Sequence, residues 1–205
     1  MSELARAEDV NKTAAFYRVG HALVCDGEVR LTRYLQIEAL GEGVTDLVAV
    51  HLSAGRMPEN EREIILPDRY VEQVARVRVG DTLTLSVGQR TLNGEPIAAH
   101  REYEENEELT DCHELTYTVV GIFEKLDTVI DNGYSPSYIA LTAGEATGPA
   151  TVFFTLKHPA RFYSVMGDNL NAGIGYDWVA HSDLLAYSGS FRNGGLTRMM
   201  YGLVT

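Results

Sequence analysis

The sequence predicts an α+β domain built mostly from antiparallel β structure. Two observations carry this. Strand-like runs recur along the chain, the clearest being the period-two alternation at residues 82–87 and the strongly apolar, β-branched run at 117–123. Helical signals are few, and they do not alternate with strands as a parallel βαβ sheet requires.

Taken in order, residues 2–15 are rich in Ala, Glu and Lys and read as a polar helix. Tyr17, Val19, His21 and Leu23 then alternate as a strand, and Asp26-Gly27 signals a hairpin turn into a returning strand over Leu31, Arg33, Leu35, Ile37 and Ala39. Residues 41–45 read as a turn and 47–52 as a further strand. A polar loop follows at 53–61, its turns set by Gly55 and Pro58, and then a short buried strand at 63–66. Pro67-Asp68 opens a short helix with Tyr70, Val71, Val74 and Ala75 apolar.

Val79-Gly80-Asp81 turns the chain into the strand at 82–87, and Asn93-Gly94 marks another hairpin turn. The acidic run Glu102, Glu104, Glu105, Glu107, Glu108, Asp111 and Glu114 has no periodicity and reads as a solvated loop. Residues 117–123 form a central strand and 138–141 a short one, with a linker at 144–149 and a strand at 151–156. Pro159 suits the first turn of a helix running to about residue 170. A last strand is expected at 176–180, and His181-Ser182-Asp183 leads into a helix at Leu184-Leu185. Leu196, Met199, Met200, Leu203 and Val204 have helical spacing that stops at Thr205 in mid-pattern. That pattern fits either a helix continuing past Thr205 or a terminal helix docked on the core.

The 205 residues suffice for a core without disulfides, and 45% hydrophobic with 22% charged residues is a globular composition. Seventeen basic against 29 acidic residues give a net charge of −12, which argues against nucleic-acid binding. It is compatible with a cationic partner, although acidity mostly confers solubility. The start lacks a signal peptide's basic and apolar regions, and no stretch has membrane-spanning length. Cys25 and Cys112 form no CxxC pair, and their spacing leaves open whether they bridge.

Catalytic motifs are missing from the sequence. The six histidines show no HExxH spacing, and Cys112-His113 is a vicinal pair ill-suited to chelating one metal. No nucleophile elbow and no P-loop occur, and Gly41-Glu42-Gly43 and Gly173-Ile174-Gly175 are incomplete dinucleotide fingerprints. Asn11-Lys12-Thr13 matches a glycosylation sequon that arises often by chance. No catalytic, cofactor or metal residue is therefore predicted. The carboxylates Glu102, Glu104, Glu105, Glu107 and Glu108 are the candidate partner surface, against the simpler reading of a solvated loop.

The run Gly55-Arg56-Met57-Pro58-Glu59-Asn60-Glu61-Arg62-Glu63-Ile64-Ile65-Leu66 resembles a segment of FtsX-like ABC transporter permease ectodomains. Val79-Gly80-Asp81-Thr82-Leu83-Thr84-Leu85 and the strand from Tyr117 to Ile122 resemble later segments of the same MacB-like core domain, in the same order. The match is firm over about residues 55–141 and looser elsewhere. The resemblance implies an extracytoplasmic domain set between transmembrane helices of a bacterial permease, with no enzymatic activity. It implies a β-rich subdomain at 51–147 inserted into a small α+β porter-like subdomain formed by 1–50 and 148–205, whose terminal helices lead to the membrane. It implies a separate cytoplasmic ATPase subunit, and a peptide, lipoprotein or cell-wall protein as substrate or partner. Gly55, Arg56, Pro58, Glu63, Gly80 and Asp81 would be structural motif residues, with Arg56 and Glu63 expected to pair. The alternative is a secreted β-rich module that binds peptide or carbohydrate; a hydrolase would need a cleft with paired titratable groups.

Overall fold

A computed structural model of the chain describes residues 9–24, 32–99, 101–126, 136–144, 148–162 and 182–189. Several sequence expectations lie outside those residues: the helix over 2–8, the turn at Asp26-Gly27, the pairing of Cys25, the strand at 176–180 and the terminal helix at 196–204. The helix from Pro159 lies partly outside, and its described start is a 3-10 turn at Pro159–Arg161.

The strands are β1 (Val10–Leu23), β2 (Tyr34–Leu40), β3 (Leu52–Gly55), β4 (Glu63–Pro67), β5 (Thr82–Leu92), β6 (Glu95–Pro96), β7 (Glu107–Phe123), β8 (Ser137–Ala143) and β9 (Ala150–Leu156). A short helix, α1 (Asp68–Tyr70), continues as a π turn at Val71–Ala75, and α2 spans Ser182–Tyr187. The fold is thus strand-rich α+β, as the periodicity predicts.

The chain divides into two compact units, Met1–Thr13 with Phe154–Thr205, and Ala14–Phe153. In the first, the Lys157 amide donates to the Asp9 carbonyl at 2.9 Å. The second holds the main sheet. There β7 pairs β4 in parallel, β4 pairs β8 antiparallel, β8 pairs β2 in parallel, and β2 pairs β1 antiparallel. A short antiparallel contact, His21 opposite Gly88 and Ala22 opposite Val87, joins β1 to β5, and β5 pairs β7 antiparallel over most of its length. These pairings return to the strand they started from, so the six strands form a closed ring. Closure removes the exposed edges that an open sheet would present.

Alternation along the strands decides what the ring encloses. Leu35 and Ile37 of β2, Ile64 and Leu66 of β4, Leu85 and Val87 of β5, Tyr117 and Val119 of β7, Tyr138 and Ala140 of β8 and Ala22 of β1 form one buried cluster. Tyr70 of α1 joins it, with Val71, Val74 and Ala75 of the π turn packed alongside. Ile139, Leu141 and Ile65 point the other way and form a second cluster with Phe16, Val44, Val48 and Phe123.

Three local expectations are corrected. Residues 10–15 are β1, not helix, because pairing and burial override the helix propensity of Lys12, Ala14 and Ala15. Residues 47–51 are not a strand. A 3-10 turn at Val44–Asp46 buries Val44 instead, Val48 is buried just beyond it, and β3 begins at Leu52. The acidic run is not wholly a loop, since Glu107 to Glu114 form the first half of the 17-residue β7.

Candidate functional site

The three sequence segments that carry the family resemblance meet on the second half of β7. Glu63, Ile64, Ile65 and Leu66 of β4 lie opposite Thr118, Val119, Gly121 and Ile122. Gly55 of β3 lies opposite Gly121. The turn before β5 closes the group: the Gly80 amide donates to the Val119 carbonyl at 2.8 Å, and the Val119 amide donates to the Asp81 carbonyl at 2.9 Å. From the other side the Thr118 amide donates to the Arg62 carbonyl at 2.8 Å.

Each motif residue has a physical task here. Gly55 has φ +76°, and a Cβ on it would lie 2.1 Å from the Val120 carbonyl oxygen, so only glycine fits. The next amide, that of Arg56, donates to the same carbonyl at 2.9 Å. Arg56 and Glu63 pair as the sequence suggests, both Nη atoms standing 2.7 Å from a carboxylate oxygen. The Glu63 carboxylate also accepts from the Glu59 amide at 2.8 Å, which closes the loop around buried Pro58. The Arg56 guanidinium, followed by the Glu59 amide, holds the Glu63 carboxyl down at about 2. Gly80 has φ +98°, and Asp81 accepts from the Arg78 amide at 2.8 Å, which fixes the turn. Acid and base are consumed in pairing each other, so this group holds a loop in shape and presents no nucleophile.

The acidic segment divides in two. Glu102, Glu105 and Glu108 are exposed, and Glu104 is half-buried and pairs with Arg101. Glu107 is withdrawn from the surface: its side chain and that of Arg90 are each 0% exposed. It therefore leaves the candidate partner surface, because its carboxylate is taken up by an internal fork. Arg90 Nε and Nη2 donate to its two oxygens at 2.9 and 2.8 Å. The other donors of Arg90 reach the Ala99 and Arg101 carbonyls at 2.9 and 3.1 Å. Such a buried pair is tolerable because its donors and acceptors find partners.

Sequence reasoning missed Arg90 and the polar residues near it. The Tyr34 hydroxyl donates to Glu107 at 3.3 Å, and the Arg90 guanidinium lies 5.0 Å from the Tyr34 ring centre. Burial, then the Glu107 charge, pushes the Tyr34 hydroxyl up to about 12. His21 packs edge-on to Tyr34 at 6.1 Å between ring centres. Burial, then the charges of Arg18 and Arg90, lowers the His21 pKa to about 3, so the ring is neutral. On the same face of β2, Glu38 accepts from Gln36 at 2.6 Å and from Arg18 at 3.2 Å, while burial raises its pKa. Only a polar residue at an otherwise apolar strand position, such as Arg90 or Glu38, hinted at this face.

Among the described residues no group of three or more His, Cys, Asp or Glu side chains could hold a metal ion. Cys112 is an exposed free thiol. No helix among the described residues is long and apolar enough to cross a membrane.

No protein-family model matches the chain, and no curated protein matches it. Solved structures similar to it include the periplasmic region of MacB from Actinobacillus actinomycetemcomitans. That likeness has 10% identity and a TM-score of 0.42, covering 92% of this chain and 72% of that one. Another is the extracellular domain of the noncanonic ABC-type transporter YknZ from Gram-positive bacteria. It has 11% identity and a TM-score of 0.43, covering 84% of this chain and 82% of that one. Both share little sequence with this chain.

Proposed function

We propose that this chain is the extracytoplasmic domain of an FtsX-like ABC transporter permease. In this reading a separate cytoplasmic ATPase drives motions of the parent's transmembrane helices, and those helices pass them to the domain. The domain captures, gates or senses a substrate or partner outside the membrane, of the peptide, lipoprotein or cell-wall protein class. It carries out no bond chemistry itself.

The observation that supports this reading most is the meeting of the three family-like segments on one strand. They are separated in sequence, yet Gly55, Arg56, Glu63, Gly80 and Asp81 all converge on Thr118 to Gly121 of β7. A chance likeness in three short runs has no reason to form one connected structural unit.

The test is purification of the full-length parent from membranes in mild detergent. The expected result is recovery in the membrane fraction together with a P-loop ATPase subunit. Recovery from the soluble fraction with no ATPase attached would overturn the proposal.

A further inference from the structure

The segment at 101–106 runs outside the β5–β7 ladder; the Arg101 amide donates to the Ala98 carbonyl at 3.1 Å, and two further fastenings lead to the Arg90–Glu107 fork. Arg90 Nη2 reaches the Arg101 carbonyl at 3.1 Å. The Glu104 amide donates at 2.8 Å to Glu107 Oε1, the oxygen that Arg90 Nη2 also holds. A turn closes the segment, the Glu107 amide donating to the Glu104 carbonyl at 3.2 Å, with Asn106 at φ +77°. Between these points Tyr103 is stacked under the Arg33 guanidinium, 4.1 Å from its ring centre, and lies 6.5 Å from the Tyr34 ring. Tyr34, and His21 packed edge-on to it, are 2% and 3% exposed. The segment itself is polar and largely exposed, so it contributes little apolar burial of its own.

We infer that residues 101–106 are a strap that opens and closes as one piece over the Tyr34–His21 face, with the Arg90–Glu107 fork as its latch. A segment with little burial, whose Arg101 carbonyl and Glu104 amide are both held by the Arg90–Glu107 fork, opens as a unit when that shared anchor is released. Opening bares a face of the barrel lined by Tyr34, His21 and Arg90. The strap also carries Glu102 and Glu105, so whatever grips those carboxylates acts on the latch. The inference stands apart from the transporter reading, since it concerns only this segment and the face it covers.

The experiment is amide hydrogen exchange read residue by residue, with nitration of tyrosines by tetranitromethane mapped by mass spectrometry. In the unaltered protein the amides of Glu104 and Glu107 exchange with a common opening constant. That constant is at least about a hundredfold more favourable to opening than the one for Ile64 and Leu141 in the ring. Arg90→Lys keeps the charge but loses the fork. It raises exchange of both strap amides together by about tenfold or more, leaves Ile64 and Leu141 within about twofold, and makes Tyr34 nitratable. Two results would overturn the strap: unequal opening constants for Glu104 and Glu107 in the unaltered protein, or a Tyr34 still protected in Arg90→Lys. The exchange measurement on the unaltered protein decides the matter even if the variant fails to fold.

Discussion

The Arg56 guanidinium and the Glu63 carboxylate meet fork to fork across a loop, seven positions apart, with both contacts at 2.7 Å. Arg56 is 48% exposed at its side chain and Glu63 only 15%. The partly covered carboxylate and the wet guanidinium make a pair whose value lies in loop shape more than in stability.

Its pH dependence follows from the sign of the shift. Glu63 titrates near 4.5 when unfolded and near 2 in the fold, so its contribution is complete above pH 4.5 and is lost as pH falls towards 2. Glu63→Gln is expected to flatten the fall in unfolding free energy over that window, read from denaturant titrations at stepped pH. An unchanged slope would show that the pair is not formed in solution.

His21 gives the opposite experiment. Its pKa is lowered from 6.5 to about 3, so the unfolded chain takes up a proton on this ring below pH 6.5 and the folded chain does not. The protein is therefore expected to lose stability progressively as pH falls from 6.5 towards 3 on account of this residue. Nuclear magnetic resonance of the ring should show neutral His21 at pH 5. A ring titrating near 6.5 in the folded protein would refute the buried, neutral assignment.

Two glycines of the motif separate crowding from backbone conformation. Both have positive φ, but a Cβ at Gly55 strikes the Val120 carbonyl while nothing lies within 4 Å of one at Gly80. Gly80→Ala is expected to cost about 1–2 kcal/mol, from φ alone. Gly55→Ala should cost at least about 3 kcal/mol, since β3 must leave β7. Equal losses in chemical denaturation would mean that β3 does not sit where Gly55 requires.

Much of this architecture is legible in local sequence, and the rest is missing for identifiable reasons. The strand at 82–87 shows clean alternation, 117–123 is a β-branched apolar run, and Asn93-Gly94 forms the tight turn between β5 and β6, both residues at positive φ. The first half of β7 was hidden because its register against β5 shifts between Val87 and Gln89, with Asp111 at φ +52°, and an extra residue breaks the period-two pattern. The buried Arg90–Glu107 pair lies 17 positions apart, and the β2–β8 ladder joins strands about a hundred residues apart. No local pattern reports such pairings. The motif residues were legible as residue types, but their convergence on Thr118 to Gly121 exists only once β3, β4 and β5 are all in place.

The central claim is that this domain lies outside the cytoplasmic membrane, and the exposed thiol of Cys112 can report it directly. The measurement is labelling of the full-length parent, carrying Cys25→Ser, in cells with a closed cytoplasmic membrane, using a charged maleimide that does not cross that membrane. The account predicts that Cys112 is labelled as fully in closed cells as in lysed ones. Labelling that appears only after lysis would contradict it.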